Sequence, residues 1–191
     1  VAGGAEPEEG VDVMERITEA YVRHADQSTP AEQDPFNEVV RSLLEKIARP
    51  DRVAAPEKLS QLWKLPYGVT EKLASDSDIE VARPIIGRYR NFPERILINV
   101  AKTGSLAHLN AIAARPVLMP PVTDVVVTRG DQATMLTLAA NRGAPFPDFG
   151  MARLVAKSKA HGQWHEAIVA RADRALAALA QLLPPPPPPS A

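Results

Sequence analysis

Four prolines, Pro66, Pro93, Pro120 and Pro147, stand one after another at steps of 27 residues. Other positions keep the same beat. Seven residues after each proline comes a branched apolar residue: Leu73, Val100, Val127 and Leu154. Five residues before the last three prolines stands an arginine: Arg88, Arg115 and Arg142. A fixed step that preserves only turning and packing positions is the mark of a short supersecondary unit stacked on copies of itself.

The unit reads as helix, turn, proline-initiated helix, tight turn. In the clearest copy Ile79 to Arg88 is the first helix and Asn91-Phe92 the turn. Pro93 then opens a helix with Ile96, Leu97, Val100 and Ala101 on one face, since proline at a helix start loses no hydrogen bond and has φ already set. Thr103-Gly104 closes that helix. Gly104, and Gly130 in the next copy, are expected to supply a left-handed turn residue, and Ser105 to cap the helix that follows. The next copies run from Leu106 to Arg115 and Pro120 to Thr128, then from Gln132 to Arg142, with Gly143 and Pro147 after it. Helices of about ten residues are too short to persist alone, so stacking must supply most of the stability. The Leu-x-x-Leu-x-Leu-x-x-Asn pattern of strand-forming leucine-rich repeats is absent, and ankyrin and tetratricopeptide units are longer.

The fold expected is therefore all-α, a right-handed α–α superhelix of about four 27-residue helical hairpins. Residues 1–10, rich in Gly, Glu and Ala, are expected to be a disordered leader. Residues 11–52 form N-terminal capping helices that do not keep the beat. The first carries Val13, Ile17, Ala20, Tyr21 and His24 on one face. A start signal follows at Thr29 and Pro30, then a helix from Pro35 to Ala48, ended by Arg49-Pro50-Asp51. The array proper spans 53–160. A long C-terminal capping helix covers 161–183, with Gln163 to Leu183 as its periodic stretch and Trp164 near its start. Pro184 to Pro189 cannot continue a helix and reads as a stiff polyproline II tail over 184–191.

Composition narrows function by exclusion. The chain has no cysteine, which removes disulfides, thiolate nucleophiles and cysteine-ligated metals, and agrees with a reducing cytoplasm. The most apolar long stretch, Ala167 to Leu183, holds Arg171, Asp173 and Arg174, too costly for a membrane span. The acidic opening residues lack the basic-then-apolar pattern of a secretory signal. The net charge of −1 conceals a division. Residues 1–78 hold nine Lys/Arg against sixteen Asp/Glu, whereas residues 79–165 hold eleven against five. An acidic leader thus precedes a basic body, which either attract one another or leave a basic surface for an acidic partner.

Several stretches resemble one bacterial family. Asp78-Ile79-Glu80-Val81-Ala82-Arg83-Pro84, Thr103-Gly104-Ser105 with Ala107-His108, Ile112-Ala113-Ala114-Arg115-Pro116 and Arg129-Gly130-Asp131 are similar to the domain of unknown function 2336 family. The resemblance runs from about Arg16 to Asp173. It implies a HEAT-like or leucine-rich-repeat-variant α-solenoid and a cytoplasmic protein, with no catalytic activity. Lys102 stands where that family commonly has arginine. The first unit departs most: Val53-Ala54-Ala55-Pro56-Glu57 replaces a more regular charged helix, and Gln61 replaces the recurring arginine.

Among chemistry-bearing residues the arginines lead. Stacking would align Arg88, Arg115 and Arg142 about 10 Å apart, the usual distance between packed helices. Each could bind helix-end carbonyls and tie neighbouring units, or the row could present forks to carboxylates or phosphates. Arg83, Arg90, Arg95, Lys102 and Arg129 add to the basic body. The function expected is a non-enzymatic scaffold that binds an acidic protein through Arg88, Arg115, Arg142, Arg83, Arg95 and Arg129. Nucleic acid is the alternative partner, weakened by the scarcity of stacking aromatics, with Tyr89 and Phe92 alone available. No metal or cofactor is expected. His161 and His165 share a helical face but lack the glutamate that zincins place directly after the first histidine. Ser105 and His108 lie three apart at a helix start, where a serine caps rather than attacks. Ile85, Leu97, Leu109, Ile112, Leu136 and Leu138 are core by periodicity.

Overall fold

The computed structural model describes residues 49–145 except residue 63, together with Arg16, Arg23, Glu38, Val39 and Ser42. Those five positions are helical and fall within the two helices expected before residue 49. The expectations at Thr29, Pro147, Leu154, His161, His165, the 163–183 helix and the polyproline tail lie outside the described residues.

Among the described residues there are seven α-helices and no strand: α1 Arg49–Leu59, α2 Tyr67–Ala74, α3 Ile79–Arg88, α4 Glu94–Thr103, α5 Leu106–Ala113, α6 Pro120–Arg129 and α7 Gln132–Ala140. Six of the seven fall where the periodicity and punctuation put them. The exception is α1, in which Arg49, Pro50 and Asp51 belong to the helix instead of ending one. Pro56 stands inside α1, where the carbonyl four residues earlier loses its usual donor.

Local chemistry starts the helices in different ways. Asp78 accepts the Glu80 N–H at 3.2 Å ahead of α3. Asp131 accepts the Thr134 N–H at 2.9 Å and the Thr134 hydroxyl at 2.7 Å ahead of α7. These bonds hold the Asp131 carboxyl below its ordinary value, the backbone N–H contributing most. Pro66 and Pro93 occupy the N-cap positions of α2 and α4, and Pro120 the first helical position of α6.

Six helices share one burial pattern, two adjacent residues and then two more one turn later. α2 buries Val69, Thr70, Leu73 and Ala74; α4 buries Ile96, Leu97, Val100 and Ala101; α6 buries Val122, Thr123, Val126 and Val127. The same doublets in α3, α5 and α7 include Ala82, Ile85 and Ile86, then Leu109, Ile112 and Ala113, then Met135, Leu138 and Ala139. A four-residue face this broad contacts neighbours on two sides. The odd-numbered helices form one row, α1 on α3, α3 on α5 and α5 on α7. The even-numbered helices form a second, α2 on α4 and α4 on α6. Consecutive helices close the space between the rows, and one core of Leu59, Leu73, Ile85, Ile96, Leu109, Ile112 and Leu138 runs through it.

The step is not constant. The N-caps Asp78, Ser105 and Asp131 are separated by 27 and then 26 residues. In the even row Val69 corresponds to Ile96 and then to Val122. Thr70 and Thr123 occupy matching places, each hydroxyl donating to the carbonyl four residues back. Val126, not Val127, therefore matches Leu73 and Val100. Pro120 hides the slip, because proline fits equally at an N-cap or one residue later.

The turn glycines also act otherwise than expected. Gly104 has φ −67° and ψ 167°, and Gly130 has φ −64° and ψ 150°. No described residue has positive φ. Glycine is required here for space. A Cβ on Gly104 would lie 2.7 Å from the Val100 carbonyl oxygen and 2.9 Å from the His108 Cβ. On Gly143 it would overlap the Pro116 carbonyl, within a turn where the Leu118 N–H donates to the Gly143 carbonyl at 3.0 Å.

Two glycine substitutions should thus move stability in opposite directions. Gly143→Ala forces backbone apart and is expected to cost about 3 kcal/mol. Gly87→Ala, inside α3 with open space around the new methyl, should stabilise by about 0.5–1 kcal/mol through helix propensity. Urea midpoints at unchanged m-value measure both, and a neutral Gly143→Ala would contradict the packing described.

Candidate functional site

The arginines divide into those spent inside the fold and those left outside it. Arg115 lies just past the end of α5 and is 7% exposed. Its guanidinium reaches the end of the neighbouring odd helix, donating from Nη1 to the Ile86 carbonyl and from Nη2 to the Tyr89 carbonyl at 3.2 Å. Those carbonyls belong to the last turn of α3, where a helix has no internal donors left and its dipole favours a cation. The guanidinium also stands over the Phe92 ring, 5.1 Å from its centroid. Burial lowers the Arg115 pKa to about 10, which leaves it charged at neutral pH.

Tyr89 and Phe92 are held in the same cluster. Their ring centroids are 6.1 Å apart, and the buried Tyr89 hydroxyl accepts the Leu65 N–H at 2.9 Å. Burial raises the Tyr89 pKa, opposed by that N–H and by the Lys64 charge. Tyr89 and Phe92, the aromatics expected to be available to nucleobases, are therefore packed among Arg115, each other and the core.

Arg129 repeats the device at the opposite edge. From the last residue of α6 it donates to the Ala101 carbonyl and, at 3.1 Å, to the Gly104 carbonyl, both at the end of α4. In the odd row the next such step is taken by a residue the periodicity did not single out. Asn141 donates its amide to the Ala113 carbonyl at 2.7 Å and the Arg115 carbonyl at 2.6 Å. Arg142, one position later because of the 26-residue step, is exposed.

Arg88 is exposed too and pairs across to Glu57 of α1. Arg83 pairs with Glu80 at 3.0 Å on the open side of α3. Arg88, Arg115 and Arg142 are thus not one row of like forks. They are a surface ion pair, a buried clamp and an exposed cation.

Ser105 occupies the N-cap position of α5 but its side chain does not cap. Its hydroxyl meets the His108 Nδ1 at 2.8 Å, while Nε2 faces the Asp76 carbonyl at 2.9 Å. A carbonyl only accepts, so Nε2 carries hydrogen, and in the neutral ring the serine donates to Nδ1. The buried imidazole staples the start of α5 to the α2–α3 turn. Among the described residues no three of His, Cys, Asp and Glu gather as metal ligands, and no helix is long and apolar enough to cross a membrane.

Among the described residues, two open concavities carry exposed cations. The larger, about 500 Å³, lies between α2 and α4 and is lined by Tyr67, Glu71, Arg95, Ile98, Asn99 and Lys102. The other, about 390 Å³, is lined by Ser60, Gln61, Leu62, Arg88, Arg90 and Asn91 at the ends of α1 and α3. Sequence reasoning marked Arg95 and Lys102 as basic but missed Tyr67, 46% exposed, whose place directly after Pro66 was the available signal.

Substitution separates the arginine roles. Arg115→Ala strands two carbonyls and is expected to cost about 3 kcal/mol, whereas Arg88→Ala and Arg142→Ala should each stay below about 1 kcal/mol. Asn141→Ala should cost more than Arg142→Ala, although both neighbours are polar. Chemical denaturation of the four variants checks the order, and equal effects at 115 and 142 would contradict it.

Comparison with known proteins gives a family and no more. No curated protein and no solved structure matches the chain. The domain of unknown function 2336 family, described as an uncharacterised protein conserved in bacteria, matches residues 81–184. That match takes in α3 from its third residue through α7 and leaves α1 and α2 outside, a narrower span than the resemblance suggested. Since it covers more than half of the 191 residues, the chain belongs to the domain of unknown function 2336 family.

Proposed function

We propose that this chain is a non-enzymatic helical-repeat scaffold, a right-handed HEAT-like superhelix that binds an acidic protein partner in the bacterial cytoplasm. The repeat reading rests on the two rows of stacked helices and the 27- and 26-residue steps between their N-caps. The partner reading rests on one observation, the division of cations. Arg115 and Arg129 hold helix-end carbonyls, whereas Arg90, Arg95, Lys102 and Arg142 are exposed and make no ion pair with the described residues. Residues 79–165, which contain all four, hold eleven Lys/Arg against five Asp/Glu. Unpaired cations on outer helix faces and turns attract a partner of opposite sign and cost the fold little to keep.

Nucleic acid would meet the same charges. Phe92 packs against Arg115 and Tyr89 against Phe92. Among the described residues Tyr67 alone, beside Arg95 and Lys102, is therefore an exposed ring, too few for the successive stacking on which single-stranded binding relies.

The test compares the full chain with a variant carrying Arg90→Glu, Arg95→Glu, Lys102→Glu and Arg142→Glu. Each is used to capture proteins from bacterial cytoplasm at physiological salt, and each is titrated with random-sequence duplex DNA. An acidic protein retained by the native chain and lost by the variant is the expected result. DNA binding that falls by about 10³-fold or more between 50 and 200 mM salt would favour nucleic acid instead.

A further inference from the structure

We propose that the groove between α2 and α4 is a docking site for an extended acidic peptide segment of the partner, one bearing an apolar side chain beside its carboxylates. The inference rests on the scaffold reading and adds to it a place and a ligand chemistry. Arg95, Asn99 and Lys102 stand at positions i, i+4 and i+7 of α4 and share its open face. The two cations are separated by about 10 Å along the helix axis, the span of about three residues of extended chain.

Neither Arg95 nor Lys102 is paired with a described residue, and between them the Asn99 amide, which can donate to and accept from one peptide unit, makes no hydrogen bond to a described residue. Tyr67 and half-buried Ile98 supply the apolar surface. Glu71 faces the groove from α2, so a carboxylate is attracted along α4 and repelled along α2, which fixes the side on which the acidic residues lie. The concavity of about 500 Å³ is open, as a continuous chain passing through it requires.

The probe is a fluorescein-labelled peptide with a central leucine flanked by glutamates, compared with matched peptides carrying glutamine or lysine in their place. Anisotropy with the full chain should show binding of the glutamate peptide, about tenfold weaker binding of the glutamine peptide and none of the lysine peptide. Arg95→Gln together with Lys102→Gln should weaken the glutamate peptide about tenfold. Lys58→Gln, on α1 and outside the groove lining, should leave it within about twofold, and Glu71→Gln should tighten it about two- to fivefold.

Equal binding of the glutamate and glutamine peptides, or weaker binding by Glu71→Gln, overturns the assignment. So does zero-length carbodiimide coupling of Lys102 to carboxylates of residues 1–48 in the absence of peptide, which would make the chain's own acidic leader the occupant. If no peptide binds while an acidic protein is still captured by the native chain, the groove assignment falls and the scaffold stands. If neither binds, both fall.

Discussion

The structure depends on how short helices satisfy their C-terminal carbonyls. Each described helix has between 8 and 11 residues, and every helix leaves its last four carbonyls without internal donors. In elements this short the ends make up nearly half of the backbone. At three of these ends the donor comes from the next helix of the same row. Arg115 serves the end of α3, Asn141 the end of α5, and in the even row Arg129 serves the end of α4. A donor placed where its own helix stops can reach the stop of the one before. Capping and stacking therefore happen together, and neither is obtained by a helix alone.

Where a helix supplies its own donor, the cross-row residue is released. At the end of α1 the Ser60 hydroxyl donates to the Glu57 carbonyl at 2.8 Å and the Gln61 amide to the same oxygen at 3.4 Å. Gln61 holds the place that arginine takes in the later units, and it turns back on its own helix. Arg88 is then free of carbonyl duty and meets the Glu57 carboxylate, an exposed ion pair of small worth. The spacing of 27 residues between Gln61, Arg88 and Arg115 thus carries three different tasks.

Much of the helical plan was legible. Ile79 to Arg88 appears with its expected ends, and the turn glycines Gly104 and Gly130 stand directly after helices as expected. The register was not, because proline was taken as the ruler. A residue without an N–H fits several first-turn positions, so Pro120 kept the beat while the packing moved by one residue. That slip decides which side chain faces the carbonyls, so Asn141 is inside and Arg142 outside, a distinction no local pattern encodes. Glycine misled for a related reason. Turn chemistry suggested a left-handed residue, while the actual demand at Gly104 comes from Val100 and His108 across the turn. The groove was half visible: Arg95 and Lys102 share a face by periodicity, but only packing of α2 on α4 sets Tyr67 and Glu71 opposite them.

This way of building a fold also separates stability from recognition. Cations used at helix ends lose their hydration and gain carbonyls, as the buried and unpaired Nε of Arg115 illustrates. Cations on the outer helix faces retain water and make no such commitment. The charge of the basic body therefore overstates the field that a partner meets, since part of it is already opposed by helix dipoles. Two of the cations that remain, Arg95 and Lys102, are arranged by helical geometry, about two turns apart along α4. A surface of that kind can change its partner by exchanging exposed residues while the carbonyl clamps, one turn away at the helix ends, keep the rows together.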